Sequence, residues 1–256
     1  MNSTFTLTFG DQAENHVGMQ KIGKLAAQGF QLADLELARE YFRKAGIECE
    51  LFNLSRRVVL VDDEKFPILP EAYVLVARGG VRAFVDPDAF YEEQDKLEKD
   101  TKVFMYGRVV NKHARHNLCF ANNSQEPDYA SGKGRIIAFE QVPLLSRVRE
   151  GLGETLGDIG KNLAVEGNYY YDPSKCGIGW HGDSERRKVV GVRVGKTLPL
   201  CFAWFHQGER ITEPKTISLH HGDVYVMSEK ATGQDWKKKL VPTLRHSAGA
   251  EKYTKV

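Results

Sequence analysis

The sequence has no long apolar run, no paired-cysteine motif and little net charge, and each of these absences excludes a class of protein. No stretch approaches the about 20 apolar residues that a membrane-spanning helix needs. The first residues lack the basic start and apolar core of an export signal. The 4 cysteines show no C-x-x-C spacing and no compact disulfide framework. We therefore expect a soluble cytosolic or nuclear protein with reduced thiols and no membrane partner.

Composition agrees with an enzyme of moderate size but does not by itself assign a partner. Apolar residues make up 41% of the 256 residues, enough for a substantial core in one large or two small domains. The formal net charge of +2 is too small to indicate nucleic acid binding. Basic residues cluster at 186–188 and 237–239, where they would steer phosphates if they flanked the mouth of a site. A solvated surface is the alternative.

The first part of the chain predicts a small α+β unit, residues 1–95, of unknown role. Residues 5–9 alternate like a strand, and residues 32–45 place Leu35, Ala38 and Phe42 on one helical face, with Gly46 as a C-cap. Further predicted strands are Cys49–Leu54, Arg57–Val61 and Ala72–Ala77, and the charged run from Tyr91 to Lys102 predicts an exposed helix or hinge.

The second part, residues 96–256, predicts a β-rich domain. Pro143 begins an amphipathic helix whose apolar positions suit the outer face of a sheet. Short strands then follow, separated by Gly, Pro and polar turns, a pattern typical of a jelly-roll or double-stranded β-helix. These strands are predicted to end at Tyr171 and to cover Val189–Gly195, Leu200–Phe205, Thr216–Leu219, Val224–Met227 and 239–246. The expected fold class is α+β, with a double-stranded β-helix core braced by helices.

The triplet His181-Gly182-Asp183 predicts a metal site. Residues two apart on a strand point to the same side, so this histidine and this aspartate can bind one ion. Two imidazoles and one carboxylate on one face of iron(II) leave three positions for a co-substrate and oxygen. The alternative is an ordinary polar pair at the end of a surface strand.

The order of several short motifs resembles the AlkB family of 2-oxoglutarate- and iron(II)-dependent dioxygenases. The motifs are Asn168-x-Tyr170, His181-x-Asp183 with Glu185 close behind, the strand that ends at Gly195, and Gly222-Asp223 followed by Val226-Met227. The similarity covers about residues 160–256, with a weaker likeness over 115–129. The resemblance implies a dioxygenase that uses Fe(II), 2-oxoglutarate and O2. It also implies that His181 and Asp183 bind the metal and that Asn168 and Tyr170 hydrogen-bond the co-substrate.

The third metal ligand departs from the family pattern. The family places a histidine just after a tryptophan that follows the Gly-Asp strand, but Trp236 is followed here by three lysines, which would repel a cation. We predict His246 as the ligand, with His220 and His221 as competitors.

The resemblance also requires a cation for the far carboxylate of 2-oxoglutarate. Related oxygenases usually place an arginine or lysine on the strand after the distal histidine, and AlkB members use arginine. This chain offers Lys252 and Lys255 instead, and Lys255, nine residues after His246 as in the related prolyl-hydroxylase branch, is predicted for this role. Arg193 is the rival.

The substrate is the least determined feature. Residues around 109–129 combine cationic, imidazole and aromatic side chains, which suit a planar base. The predicted substrate-pocket residues are His113, Arg115, His116, Phe120, Tyr129 and Glu185. If the AlkB resemblance extends to activity, the enzyme hydroxylates an N-methyl group of a nucleobase in nucleic acid and releases formaldehyde. A hydroxylase of a protein side chain or small metabolite, and a non-enzymatic jelly-roll binding module, stay as alternatives. The oligomeric state is open.

Overall fold

The computed structural model describes residues 1–56 and 66–255, which form an α+β fold built mostly of sheet with few helices. The strands are β1 Thr4–Gly10, β2 Gln12–Glu14, β3 Lys21–Gly23, β4 Cys49–Asn53, β5 Tyr73–Ala77, β6 Lys102–Met105, β7 Arg108–Asn111, β8 His116–Ala121, β9 Ile136–Ala138, β10 Ala164–Tyr170, β11 Gly177–His181, β12 Val189–Gly195, β13 Leu198–His206, β14 Glu209–Arg210, β15 Lys215–Leu219, β16 Val224–Met227 and β17 Thr243–Gly249. The helices are α1 Leu32–Lys44, α2 Pro87–Lys96, α3 Pro143–Leu156, α4 Glu229–Thr232 and α5 Glu251–Thr254.

The larger sheet has strand β1 in its middle. Its order within the described residues is β4-β5-β16-β12-β1-β10-β8-β9, with β1 antiparallel to both β10 and β12. The predicted alternation of β1 is confirmed: Phe5, Leu7 and Phe9 are buried in the core beside the apolar faces of α1 and α3. The intervening threonines project to the opposite face of the sheet.

A second sheet, ordered β11-β17-β13-β14 with β15 also paired to β13, faces the larger one. Apolar side chains from both sheets fill the space between them in one buried cluster. Trp204 of β13 is the largest of these side chains that is fully buried, and its Nε1 donates to the carbonyl of Leu54 at 2.7 Å. This packing fixes the inner strands that carry the polar residues described below.

Two predicted helices are confirmed. Leu35, Ala38 and Phe42 are the buried residues of α1, and Gly46 follows the helix with φ 71°. Helix α3 starts at Pro143 and buries its apolar face against the larger sheet's core. The prediction of an exposed helix or hinge over Tyr91–Lys102 is confirmed in part, because most of the run is exposed or half-buried, but the helix begins earlier, at Pro87. Helix α2 ends at Lys96 and buries Tyr91 beneath the sheet.

The predicted boundary between residues 95 and 96 does not coincide with a boundary between sheets. Strands β1, β4 and β5 belong to the same sheet as β8, β10, β12 and β16. The predicted strands Cys49–Leu54 and Ala72–Ala77 are found as β4 and β5, whereas the predicted strand Arg57–Val61 lies outside the described residues. Within residues 1–56 and 66–255, none of the helices is both long enough and apolar enough to cross a bilayer.

Candidate metal centre and its pocket

The side chains of His181, Asp183 and His246 meet at one point. One ligand atom from each lies within 4.8 Å of the other two. Nε2 of His181 and Nε2 of His246 are each 3.5 Å from Oδ1 of Asp183. Neighbouring ligands of one metal ion, with bonds of about 2.1 Å, are separated by about 3 Å, so these distances are close to those of a coordination sphere.

Strand pairing explains the meeting of the two histidines. Strands β11 and β17 are antiparallel, and His181 is the register partner of His246, after an irregularity between Ile178 and His181. The prediction that His181 and Asp183 meet because they lie on the same face of one strand is wrong. Strand β11 ends at His181, so the two residues do not share a strand face.

A turn, not a strand, carries Asp183 to the site. Its backbone N–H donates to the carbonyl of Thr232 at 2.9 Å, which holds the chain against the last residue of α4. A Cβ at Gly182 would overlap the carbonyl oxygen of Gly233, so only glycine allows this approach. The close contact with Gly233 therefore requires glycine at the middle position of the His-x-Asp triplet.

The hydrogen bond of His181 fits a bound divalent metal, whereas His246 lacks the corresponding bond within the described residues. Nδ1 of His181 lies 2.8 Å from the carbonyl oxygen of Gly179, which only accepts, so the proton belongs on Nδ1 and Nε2 keeps its lone pair. Nδ1 of His246 is buried without a partner among the described residues. Two imidazole nitrogens and one carboxylate oxygen are a donor set that suits iron(II) and similar ions.

The charges around the cluster keep it ready to bind a cation. Burial alone would raise the pKa of the Asp183 carboxyl, but the neighbouring His246 and His181 imidazoles and the Arg186 guanidinium lower it well below its usual range. Burial and the adjacent His181 lower the pKa of His246. Both shifts favour the forms that ligate a metal, an ionised carboxylate and a neutral imidazole.

Arg186 is a site residue that sequence reasoning misplaced. It was grouped with a basic cluster at the mouth of the site, but it is only 2% exposed. Its guanidinium binds Glu166 at 2.6 Å and Glu185 at 2.7 Å, and its Nε lies 3.9 Å from Asp183. Burial would lower the pKa of Arg186, but the three carboxylates raise it well above its usual value. Arg186 therefore stays charged and holds the acidic side chains in place.

The cluster opens into a pocket of about 460 Å³. Asn168, Tyr170 and Arg193, all predicted to bind the co-substrate, line it together with the three ligand residues. Asn168 Oδ1 accepts hydrogen bonds from Arg115 Nε at 2.6 Å and from Asn117 Nδ2 at 2.7 Å. Arg193 is buried on β12 and is one of the largest fully buried side chains in the described part of the chain.

Lys255 does not reach this pocket, so its predicted contact with the co-substrate is wrong. Its side chain is 70% exposed and pairs with Glu251 at 2.7 Å, on the surface formed by α5. The competing histidines are also elsewhere: His221 Nδ1 accepts from the backbone N–H of Gly195 at 3.0 Å, and His220 contacts the Thr197 hydroxyl.

Only part of the predicted substrate set lines the pocket. Arg115 and Glu185 do so. Four others do not: His113 is exposed, His116 stacks on Tyr171 with ring centroids 4.7 Å apart, Phe120 is fully buried in the core, and Tyr129 donates to Asp100 at 2.8 Å. Phe120 and Tyr129 are thus held by packing and hydrogen bonding, and neither ring is free to stack on a base in the pocket.

Sequence reasoning missed the contribution of the N-terminal residues. The loop between β2 and β3 lines the pocket from Asn15 to Met19, and Thr6 and Thr8 of β1 line its floor. The alternation of β1 was visible in the sequence and predicted a strand. The missing information was which strands lie beside it, and local patterns do not encode that.

No established family profile matches the chain. A protein of Acanthamoeba polyphaga mimivirus, described as uncharacterized, is 48% identical to it over 258 aligned positions, which cover 100% of this chain and 99% of the viral protein. This chain belongs to the same family as that mimivirus protein.

Proposed function

We propose that this protein is a 2-oxoglutarate- and Fe(II)-dependent oxygenase of AlkB type that oxidises, and so demethylates, a methylated nucleobase. One observation carries the proposal: His181, Asp183 and His246 converge, with ligand atoms within 4.8 Å of one another, at a pocket that also holds a buried arginine. A structural metal site would be closed by a fourth protein ligand, whereas three ligands beside a pocket leave positions for other molecules.

The sheet arrangement supports a double-stranded β-helix as the finer description of the fold. Two sheets face each other across one apolar cluster, and after β10 the chain crosses between them repeatedly, with β12 and β16 in the larger sheet and β11, β13–β15 and β17 in the smaller one. The histidines come from the smaller sheet, and the polar residues that line the pocket opposite them come from β10, β1 and β12 of the larger sheet.

Each pocket residue has a defined part in the proposed reaction. His181, Asp183 and His246 would hold Fe(II), which with 2-oxoglutarate and O2 supplies the oxidising chemistry. Arg193 contributes a buried positive charge for a carboxylate. Asn168 is oriented by its hydrogen bonds from Arg115 and Asn117, so its side chain is preorganised at the pocket wall.

Charge at the pocket mouth supports a polyanionic substrate. Lys21, Arg115 and Lys237 line the pocket, and both lysines are exposed. Exposed cations attract phosphates over about a Debye length, which is about 8 Å at physiological salt. A methylated base in a nucleic acid strand would therefore approach with its phosphates along these residues.

Anaerobic titration tests the metal and co-substrate assignment. Addition of Fe(II) and then 2-oxoglutarate should give the weak visible charge-transfer band of a chelated complex. The Asp183→Asn variant should not give it, and His221→Ala, which changes a histidine outside the pocket, should. A folded wild-type protein without this band would favour a non-enzymatic binding module.

A turnover assay then selects the substrate class. Succinate release should increase with methylated oligonucleotides and not with their unmethylated counterparts. An increase with peptides or amino acids instead would replace the nucleobase by a protein side chain or a small metabolite.

A further inference from the structure

We infer that a cationic rim beside the pocket mouth binds the backbone phosphates of a nucleic acid strand beyond its target base. The rim consists of Lys237, Lys238 and Lys239, on the loop that follows Trp236, together with Arg245 of β17. The inference rests on the proposed function and extends the site past the pocket. It assigns a contact surface to the loop that departs from the AlkB pattern, where lysines stand in place of a histidine.

The rim begins in the wall of the pocket. Trp236 and Lys237 both line the pocket that contains the metal cluster. The indole Nε1 of Trp236 donates to Ser184 Oγ at 3.0 Å, and Ser184 directly follows the candidate ligand Asp183 in sequence. A strand that leaves the pocket past Trp236 therefore reaches Lys237 first and the next two lysines after it.

The ring of Trp236 positions two of the four cations. The Lys237 ammonium lies 5.6 Å from the ring centroid, and the Arg245 guanidinium lies 5.3 Å from it. The same guanidinium lies 4.2 Å from the ring centroid of Phe205. Cations within about 6 Å of an aromatic ring are attracted to its face. Two positive charges are therefore held close together beside the pocket mouth, although they repel each other.

None of the four cations has a carboxylate partner within the described residues. The carboxylates on the same stretch of chain are engaged elsewhere, because Asp235 pairs with Lys230 at 2.8 Å and Glu229 with Arg187 at 3.4 Å. The Arg245 Nε is buried without a hydrogen-bond partner in the described part of the chain. Burial lowers the pKa of the Arg245 guanidinium, a cost that a bound anion would offset. The rim thus carries uncompensated positive charge, which favours an anionic partner.

Hydrogen bonds fix the loop that carries the three lysines. The carbonyl of Lys239 accepts from the backbone N–H of Gln207 at 3.1 Å. Lys230 Nζ donates to the carbonyl of Pro242 at 3.0 Å, where the loop leads into β17. The lysines therefore project from a backbone that is held in its middle and at its end, which reduces the entropy lost when they bind a ligand.

A nucleic acid strand fits this surface better than an anionic membrane. A strand can place one base in the pocket and its neighbouring phosphates on the rim, whereas a lipid headgroup has no second part that needs the pocket. The apolar contact to lipid would come from Leu240, which is 89% exposed. Stable membrane anchoring by a basic cluster also takes a lipid chain or an amphipathic helix, and the loop over residues 237–242 contains no helix.

The test measures how oligonucleotide binding to the metal-free protein depends on salt. Fluorescence anisotropy with a labelled, unmethylated oligothymidylate over about 50–200 mM salt gives the slope of log affinity against log salt concentration. The triple-lysine variant, Lys237→Gln/Lys238→Gln/Lys239→Gln, should have a slope smaller in magnitude by about 2, because each single-strand phosphate contact contributes about 0.7. Arg245→Gln should reduce it by about 0.7, and Arg245→Lys, which keeps the charge, should leave it unchanged.

A control variant removes the same charge from the other side of the molecule. Arg43 and Lys44 lie in the last turn of α1, Arg147 lies on α3, and all three are exposed. These helices pack on the face of the larger sheet opposite to the one that lines the pocket. Arg43→Gln/Lys44→Gln/Arg147→Gln should therefore keep the wild-type slope. Oligouridylate should give the same pattern, because the rim contacts phosphates, which both polymers share.

Several outcomes would overturn the inference and leave the oxygenase proposal standing. They are an unchanged slope in the triple-lysine variant, an equal reduction in the control variant, and no binding of either oligonucleotide to wild type at the lowest salt. Binding to phosphatidylserine vesicles that the triple-lysine variant loses, with oligonucleotide binding unchanged, would assign the loop to a membrane instead.

The proposed function fails by a different measurement. If Fe(II) and 2-oxoglutarate give no charge-transfer band, the oxygenase is disproved. The salt slopes come from metal-free protein and unmethylated oligonucleotides, so they still decide whether the rim binds phosphates.

Discussion

His181 and His246 are register partners across strands β11 and β17, with ring centroids 4.4 Å apart. The pairing makes their relative position a property of the backbone ladder and not of flexible side chains. Asp183 joins them from a turn held by Thr232. A site built in this way is preorganised before a metal binds.

Removal of one imidazole should abolish tight metal binding. His246→Ala deletes one of the three ligand atoms, so we expect Fe(II) or Co(II) affinity to fall by more than the about 10- to 100-fold that loss of an outer-shell contact costs. Anaerobic titration followed by absorbance measures this. His221→Ala is the control and should bind metal normally. Full metal affinity in the His246→Ala protein would remove this residue from the site.

Arg193→Met should stabilise the ligand-free protein. An unsatisfied buried polar group costs about 1–3 kcal/mol, and methionine fills a similar volume without it. Urea unfolding without metal or co-substrate should therefore show an increased free energy of unfolding. Added Zn(II) and 2-oxoglutarate should then stabilise wild type more than the variant, because only wild type binds both ends of the ligand. Lower stability of the ligand-free variant would mean that Arg193 is satisfied in the free protein.

Lys255→Ala should leave 2-oxoglutarate binding unchanged. The lysine is exposed and pairs with Glu251, one turn away on the surface, and such pairs contribute about 0–1 kcal/mol. Calorimetry on the Zn(II)-loaded variant checks this. A tenfold loss would return Lys255 to the role that the sequence predicted.

The protein should become more stable as pH rises from about 8 to 10.5, because of Lys112. Burial lowers the pKa of its amine from 10.5 to about 8, although the Asp100 charge opposes this. Below about pH 8 the amine is charged in both states, and the cost of burying it is fully present. Between pH 8 and 10.5 the folded protein has lost this proton and the unfolded chain still holds it. The cost of burying the charged amine, on the order of 3 kcal/mol, therefore disappears as the pH rises through this range.

Urea unfolding at several pH values, for wild type and Lys112→Met, measures that contribution. The free energy of unfolding of wild type should increase relative to that of Lys112→Met as the pH rises from about 8 to 10.5. In the folded protein the amine donates to Asn15 at 2.9 Å and to Asn117 at 3.0 Å, and both bonds survive loss of one proton. A difference that does not vary with pH would show that Lys112 titrates normally.

Arg186→Met should be strongly destabilising. It leaves the buried Glu166 carboxylate without its guanidinium partner, and breaking a buried ion pair on one side costs about 3–5 kcal/mol. Arg187→Met is the matched control, because that side chain is 31% exposed and lies 3.4 Å from Glu229. The control should cost about 1 kcal/mol or less in the same urea unfolding measurement. Equal effects of the two substitutions would contradict the proposed role of the buried network.

Local patterns were sufficient where the cause of structure is local. The apolar spacing of Leu35, Ala38 and Phe42 predicted α1, and Pro143 marked the start of α3. Strands β12, β15 and β16 were found within one residue of their predicted bounds because alternating side chains and glycine-containing turns are short-range signals, whereas the strand predicted over 239–246 was found at Thr243–Gly249.

The failures involve contacts between distant parts of the chain. Arg186 looks like a surface residue in sequence, and it is buried because β10 brings Glu166, 20 residues away, to its guanidinium beside the neighbouring Asp183 and Glu185. Phe120 looks available for stacking, and it is buried in the core. In both cases the deciding neighbours are remote in sequence.

The sequence by itself determined the residue types of the candidate metal cluster, the polar face of β1 and the alternation that makes each strand two-sided. Only the tertiary structure decided that β1 lies between β10 and β12, that Thr6 faces Arg193, and that Lys255 points to solvent. The physical reason is the range of the interactions. Side-chain periodicity depends on residues a few positions apart, whereas strand order depends on which apolar faces pack together and on hydrogen bonds between segments far apart in the chain.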